Sequence, residues 1–226
     1  MNKASNSSEI YHERQIKELC ALHALNNLFQ DKRAFSKKDL DDICQRLSPD
    51  HFINPHRSAL GFGNYDVNVL MAAVQKKNCE TVWFDKRKNT KCLVPEKIYG
   101  FILNTPTDYK WGILRLPFKR KHWIAIKKIG QYYYNLDSKL ESPDLIGEEE
   151  LLFPYLASQL DEGDKELLLV VSVEVAKLGS WRRDLPSENA SKLTRSLDEN
   201  TSNTKDILAN DKAATLPPRL QSVDDL

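Results

Sequence analysis

Several things are missing from this 226-residue chain, and each absence removes a class of function. No CxxC pair occurs among the four cysteines, Cys20, Cys44, Cys79 and Cys92, and no secretory leader precedes them, which points to free thiols rather than disulfides. The tightest Cys and His pairing, Cys20 with His23, has no second cluster at ligand spacing to complete a zinc site. Charge of one sign is missing too: 33 Lys and Arg face 32 Asp and Glu, so no global field draws in nucleic acid or a membrane surface. Nowhere do about 18 apolar residues follow one another, as a spanning helix requires. The opening MNKASNSSEIYHERQ has no apolar run of the signal-peptide kind, so the expected location is the cytoplasm, with the nucleus also open to the chain. The sequons NSS, NAS and NTS lie in polar ends and mean little without a secretory route.

What is present suffices for one core: hydrophobic residues make up 41% of the chain and charged ones 29%. The expected organisation is a flexible segment over 1–9, one domain over 10–181, and a disordered polar tail over 182–226, where aromatic residues vanish and no periodicity holds. Within the domain, helices come first. One is expected from near Cys20, with Leu22, Leu25 and Phe29 on one face; a second after Ser36 as N-cap, ending before Pro49; a third from Tyr65 or Asp66. The pattern then turns to short β-branched and aromatic runs, ETVWFD, IYGFILN, KHWIAIKKI, QYYYNLD and ELLLVVSVE, with one more helix in GEEELLFPYLASQLDEG. Helices followed by antiparallel strands indicate an α+β fold.

Free cysteines are among the most buried residue types, so Cys44, Cys79 and Cys92 are read as structural. Cys20 differs by its place at a helix N-terminus, where unpaired amides and the macrodipole favour a thiolate. Those amides also help to hold an oxyanion, and the side-chain amide of Gln15, just upstream, can give a second hydrogen bond.

A thiol nucleophile needs a base. His12 lies on the approach segment, while His51 and His56 sit in a loop-like stretch where solvated roles are the default. His23 shares a helix face with Cys20, but a base on the same short helix leaves no cleft for a substrate. His122 is preferred on hairpin geometry. With Gly130 and Gln131 as a two-residue turn, Ile129 pairs with Tyr132 and His122 faces Lys139. Asp137 then projects from the same face as a diagonal neighbour, with Cα atoms about 7–8 Å apart, and Asn135 lies one step farther. Asp137 is therefore the expected orienting group.

YHERQIKELCALHALNN, GNYDVNVLMAAV and KHWIAIKKIGQYYYNLDSKL, in that order, resemble the Josephin family of cysteine-dependent deubiquitinases over nearly all of residues 10–181. The likeness is to its short members, since neither a glutamine tract nor ubiquitin-interacting repeats are present. The resemblance implies a papain-like fold, a helical subdomain packed on an antiparallel sheet with the ubiquitin tail threaded between them. It implies Cys20 as nucleophile, His122 as general acid and base, Asp137 as its orienting group, where the ataxin branch carries asparagine, and Gln15 in the oxyanion hole. It further implies no metal or cofactor, and ubiquitin or ubiquitinated proteins as partners of a monomer that binds no nucleic acid and does not insert stably into membranes. The alternatives are another acyl-transferring cysteine enzyme with the same triad, and a ubiquitin-binding module with weak or occluded catalysis.

Overall fold

The computed structural model describes residues 10–16, 18–50, 54–57, 63–111 and 114–184, and only the backbone course over 107–120. The expected flexible start at 1–9 and the expected tail, apart from 182–184, lie outside the described residues. All elements below belong to the unit that ends at Arg183.

The first helix, α1, is Cys20–Phe29, and every residue from Cys20 to Leu28 is buried, so it runs through the core rather than lying amphipathically on it. No side chain caps its start at Leu19, and its end turns left-handed at Gln30, whose N–H returns to the carbonyls of Asn26 and Asn27. The second helix, α2 (Lys37–Leu47), begins as expected at Ser36, which forms a reciprocal capping box with Asp39. Helix α3 (Val67–Gln75) is capped by Asp66, whose carboxylate accepts from the amides of Asn68 and Val69.

Six antiparallel strands follow: β1 (Cys79–Trp83), β2 (Ile98–Trp111), β3 (Leu114–Ile129), β4 (Tyr132–Leu136), β5 (Asp144–Gly147) and β6 (Glu166–Ser172). Their order across the sheet is β1-β6-β2-β3-β4-β5. The β3–β4 turn is the two-residue one expected: Gly130 takes φ +62°, and Ile129 pairs with Tyr132. The ladder stops at Ala125 opposite Leu136, however, so His122 does not face Lys139; its cross-strand partner is Thr105 on β2. Several elements were not expected, among them two short 3-10 turns at Thr90–Cys92 and Pro95–Lys97. The β5 strand is a short, partly exposed edge, and helix α5 (Val173–Leu178) follows β6 directly, inside the run ELLLVVSVE expected as strand, where Ser172 caps it by accepting from the Val175 N–H.

The sheet separates two layers. On one face α1, α2 and α3 bury Leu25, Leu28, Leu40, Ile43 and Leu70 against Ile102, Ala125 and Val170. On the other, helix α4 (Glu149–Asp161) buries Leu152, Leu156 and Leu160 against Phe101, Ile126 and Leu169. The chain then returns to the sheet's rim, where Arg182 pairs with Leu93 and the Arg183 N–H donates to the Cys92 carbonyl.

Helix α1 sits so close to the sheet that Gly100 of β2 has no room for a side chain: a Cβ there would meet Leu28 Cδ1 at 2.5 Å and the Ile126 carbonyl at 3.1 Å. Because Leu28 is fully buried, it has nowhere to retreat. Gly100→Ala is expected to lower stability by about 1–3 kcal/mol in urea unfolding, and an unchanged midpoint would contradict this packing.

Candidate active site

The sequence places Cys20 at the first position of α1, His122 inside β3 and Asp137 just past the end of β4. The fold brings the three into one line. His122 Nε2 lies 2.6 Å from Asp137 Oδ1, and the Cys20 thiol lies beside the same imidazole, close enough to help raise its pKa. With Nε2 committed to the carboxylate, Nδ1 is the nitrogen left for another partner. Cys20 and His122 are both about 95% buried, at 5% and 4% exposure, so these bonds operate largely out of water.

Burial disfavours the imidazolium, but the hydrogen bond to Asp137, the charge of that carboxylate and the neighbouring Cys20 thiol outweigh it and raise the His122 pKa above its ordinary 6.5. Asp137 responds in the opposite direction. Burial pushes its carboxyl up, yet the bond to His122, that ring's charge and the Lys139 N–H at 2.9 Å hold it below the usual carboxylate range. Asn135, the other residue weighed for this role, instead accepts the Asp137 N–H at 3.0 Å and pairs with Ile126.

Residues 10–16 form a strap that laces α1 to the end of β4. On the helix side, the Tyr11 N–H donates to Gln30 Oε1, the Glu13 N–H to Asn27 Oδ1 at 2.6 Å, and the Ile16 N–H to His23 Nε2 at 3.2 Å. On the sheet side, the Gln15 N–H donates to the Ser138 carbonyl at 2.6 Å and His12 Nε2 to the Asp137 carbonyl at 3.0 Å. Asn27 Nδ2 closes the seam by donating to the Leu136 carbonyl at 3.0 Å. Gln15 is thereby held beside the turn that carries Asp137, and its Oε1 accepts from Ser138 Oγ at 3.4 Å.

Of the two histidines read as solvated, His56 is half-buried and bonded to Asp66 at 2.8 Å, while His51 lies outside the described residues; His12 on the approach segment is half-buried and engaged. His23 does not meet Cys20; its Nδ1 lies 2.8 Å from Glu13 Oε2. Sequence reasoning missed the partners of His23, Asn26 and Asn27, and the only signal was the placing of three polar residues on a helix otherwise made of Ala, Leu, Cys and Phe.

All four cysteines are free thiols. Burial, then the nearby Asp41, pushes the Cys44 thiol up to about 11, and burial also raises Cys79 and Cys92. Among the described residues, no group of three or more His, Cys, Asp and Glu is arranged to hold a metal ion, and no helix is long and apolar enough to cross a membrane.

A buried cysteine at a helix start that no side chain caps, beside an imidazole on a six-stranded antiparallel sheet, fits a papain-like α+β fold. The Josephin family pattern matches residues 15–171, and the chain belongs to that family. It is 52% identical over 166 residues to a Josephin-like protein of Drosophila melanogaster, covering 73% of this chain and 75% of that protein. Human Josephin-2 is 49% identical over 174 residues, covering 77% of this chain and 92% of that protein. Chicken ataxin-3 is more distant, 29% identical over 163 residues, covering 68% of this chain and 43% of that protein. Membership of this family, with ataxin-3 among its relatives, supports a deubiquitinase-type role.

The opposed pKa shifts have a direct readout. In an NMR titration the His122 ring is expected to lose its second proton above 6.5. Asp137→Ala removes both the hydrogen bond and the charge that stabilise the imidazolium, so the midpoint moves down; Asp137→Asn keeps an acceptor and moves it less. A midpoint indifferent to both substitutions would contradict the pairing.

Proposed function

We propose that this chain is a ubiquitin-directed cysteine isopeptidase, acting on ubiquitin or ubiquitinated proteins through Cys20, His122, Asp137 and Gln15. The observation that carries the reading is the His122–Asp137 pair at 2.6 Å with the buried Cys20 thiol beside the same imidazole. In this mechanism the His122 Nδ1 takes the thiol proton and Cys20 Sγ attacks the carbonyl carbon of the ubiquitin C-terminal glycine. The carbonyl oxygen becomes an oxyanion, held by the uncapped amides at the start of α1 and by the Gln15 side-chain amide. When the tetrahedral intermediate collapses, the C–N bond breaks and the imidazolium returns its proton to the departing lysine amine. A thioester between ubiquitin and Cys20 remains. Water, deprotonated by the same imidazole, then attacks it and releases the ubiquitin carboxylate and the thiol.

Asp137 contributes by fixing the ring. Its oxygen accepts from Nε2–H, so Nδ1 is the nitrogen left to exchange the proton with sulfur. This predicts a graded series in steady-state cleavage of a ubiquitin C-terminal fluorogenic amide, with each variant checked for folding by circular dichroism. Cys20→Ala is expected to abolish turnover, whereas substituting Cys44, Cys79 or Cys92 spares it; a Cys44 variant equally dead while folded would name the wrong nucleophile. His122→Ala costs several orders of magnitude. Asp137→Ala costs about 10–100-fold and Asp137→Asn less, because asparagine still accepts the Nε2–H bond. Full activity in Asp137→Ala together with loss in Asn135→Ala would transfer the orienting role to Asn135.

A further inference from the structure

We infer that His23 is a positioning residue of this site: in its Nδ1–H tautomer it holds the backbone of the strap, and through it Gln15, at a fixed distance from Cys20. The inference rests on the reading of Cys20 and Gln15 given above. His23 is 5% exposed and both its ring nitrogens are used. Nδ1 meets Glu13 Oε2 at 2.8 Å, and a carboxylate only accepts, so Nδ1 carries the proton. Nε2 meets the Ile16 N–H at 3.2 Å, and a backbone amide only donates, so Nε2 offers its lone pair. The two neighbours together admit a single tautomer.

Glu13 is itself pinned. Its carboxylate accepts from Tyr11 OH at 2.7 Å and from Asn26 Nδ2 at 3.1 Å. Burial favours the protonated acid, but the bonds from His23, Tyr11 and Asn26 outweigh it and hold the pKa below its ordinary value.

The consequence is geometric. Cys20 and His23 stand one turn apart on α1, while Ile16, held by His23, is the residue after Gln15. Gln15 is anchored on its other side by its own N–H to the Ser138 carbonyl. A rigid turn of buried helix therefore sets the spacing between the nucleophile and the proposed oxyanion donor. Misplacing such a donor by about 1 Å costs about 100-fold in rate. With both nitrogens engaged, His23 has none left for the Cys20 thiol, which separates this role from that of a base.

Amide side chains test the assignment, because glutamine places its terminal group near the Nε2 position and asparagine near Nδ1. In cleavage of the ubiquitin C-terminal fluorogenic amide, His23→Gln retains an acceptor for the Ile16 N–H and is expected to keep kcat within about threefold. His23→Asn keeps the Glu13 bond but loses that of Ile16, and is expected to lose kcat about 10–100-fold with KM within about twofold. Alkylation of Cys20 by iodoacetamide forms no oxyanion and should proceed at the wild-type rate in both. Equal kcat for the two variants, or alkylation slowed in step with turnover, would overturn the inference.

Should the His23 variants fail to fold, Glu13→Gln and Glu13→Ala replace them. The first keeps an acceptor for Nδ1–H and holds kcat, the second lowers it at unchanged alkylation, and equal turnover overturns the inference. The ring's nitrogen resonances in the wild-type chain provide a readout that needs no activity: Nδ1 protonated and Nε2 bare is expected, and the opposite tautomer would refute the assignment. A wild-type chain that shows the expected tautomer but leaves the ubiquitin amide intact contradicts the isopeptidase reading instead.

Discussion

Burial of α1 is the constraint from which the rest follows. A helix enclosed from Cys20 to Leu28 must satisfy every polar side chain it carries, because an unpaired buried polar group costs about 1–3 kcal/mol. His23, Asn26 and Asn27 find their partners in the strap, in the Phe35 backbone and at the end of β4. The bonds that make this helix tolerable in the core are thus the ones that fix the helix start against Asp137 and Gln15. Stability and site geometry here share the same hydrogen bonds, with Gly100 setting how closely the helix approaches the sheet.

The electrostatics follow from the same enclosure. Removal from water works against charge on His122 and on Asp137 alike, yet each is held in its charged form by the other. Cys44 shows what burial does to a thiol without such a partner: the pKa rises to about 11, helped by Asp41. Cys20 is buried as well, but it stands beside the His122 imidazole.

Local chemistry was legible in the sequence. Ser36 and Asp66 announced two helix starts, and Gly130 with Gln131 fixed the β3–β4 register from which the proximity of His122 and Asp137 could be read. The register was correct, yet the pairing ends at Leu136, so the contact is made from the turn beyond the ladder. Other features were hidden for physical reasons. Pro106 interrupts what reads as a strand, although β2 continues through it to Trp111. β5 is too short at four residues to stand out, and α5 is masked by the β-branched run that precedes it. The partners of His23 were out of reach altogether. Glu13 and Ile16 contact it across a reversal of the chain that no helical or strand period encodes.

If Cys20 and His122 act together on the ubiquitin terminus, a ubiquitin carrying an electrophile in place of its C-terminal carboxylate should become covalently attached to the 226-residue chain. Peptide mapping of the adduct then reads the attachment point directly. Modification of Cys20, strongly slowed in His122→Ala, is the expected result. An adduct on Cys44, Cys79 or Cys92, or none at all from a folded chain that still binds ubiquitin, would contradict it.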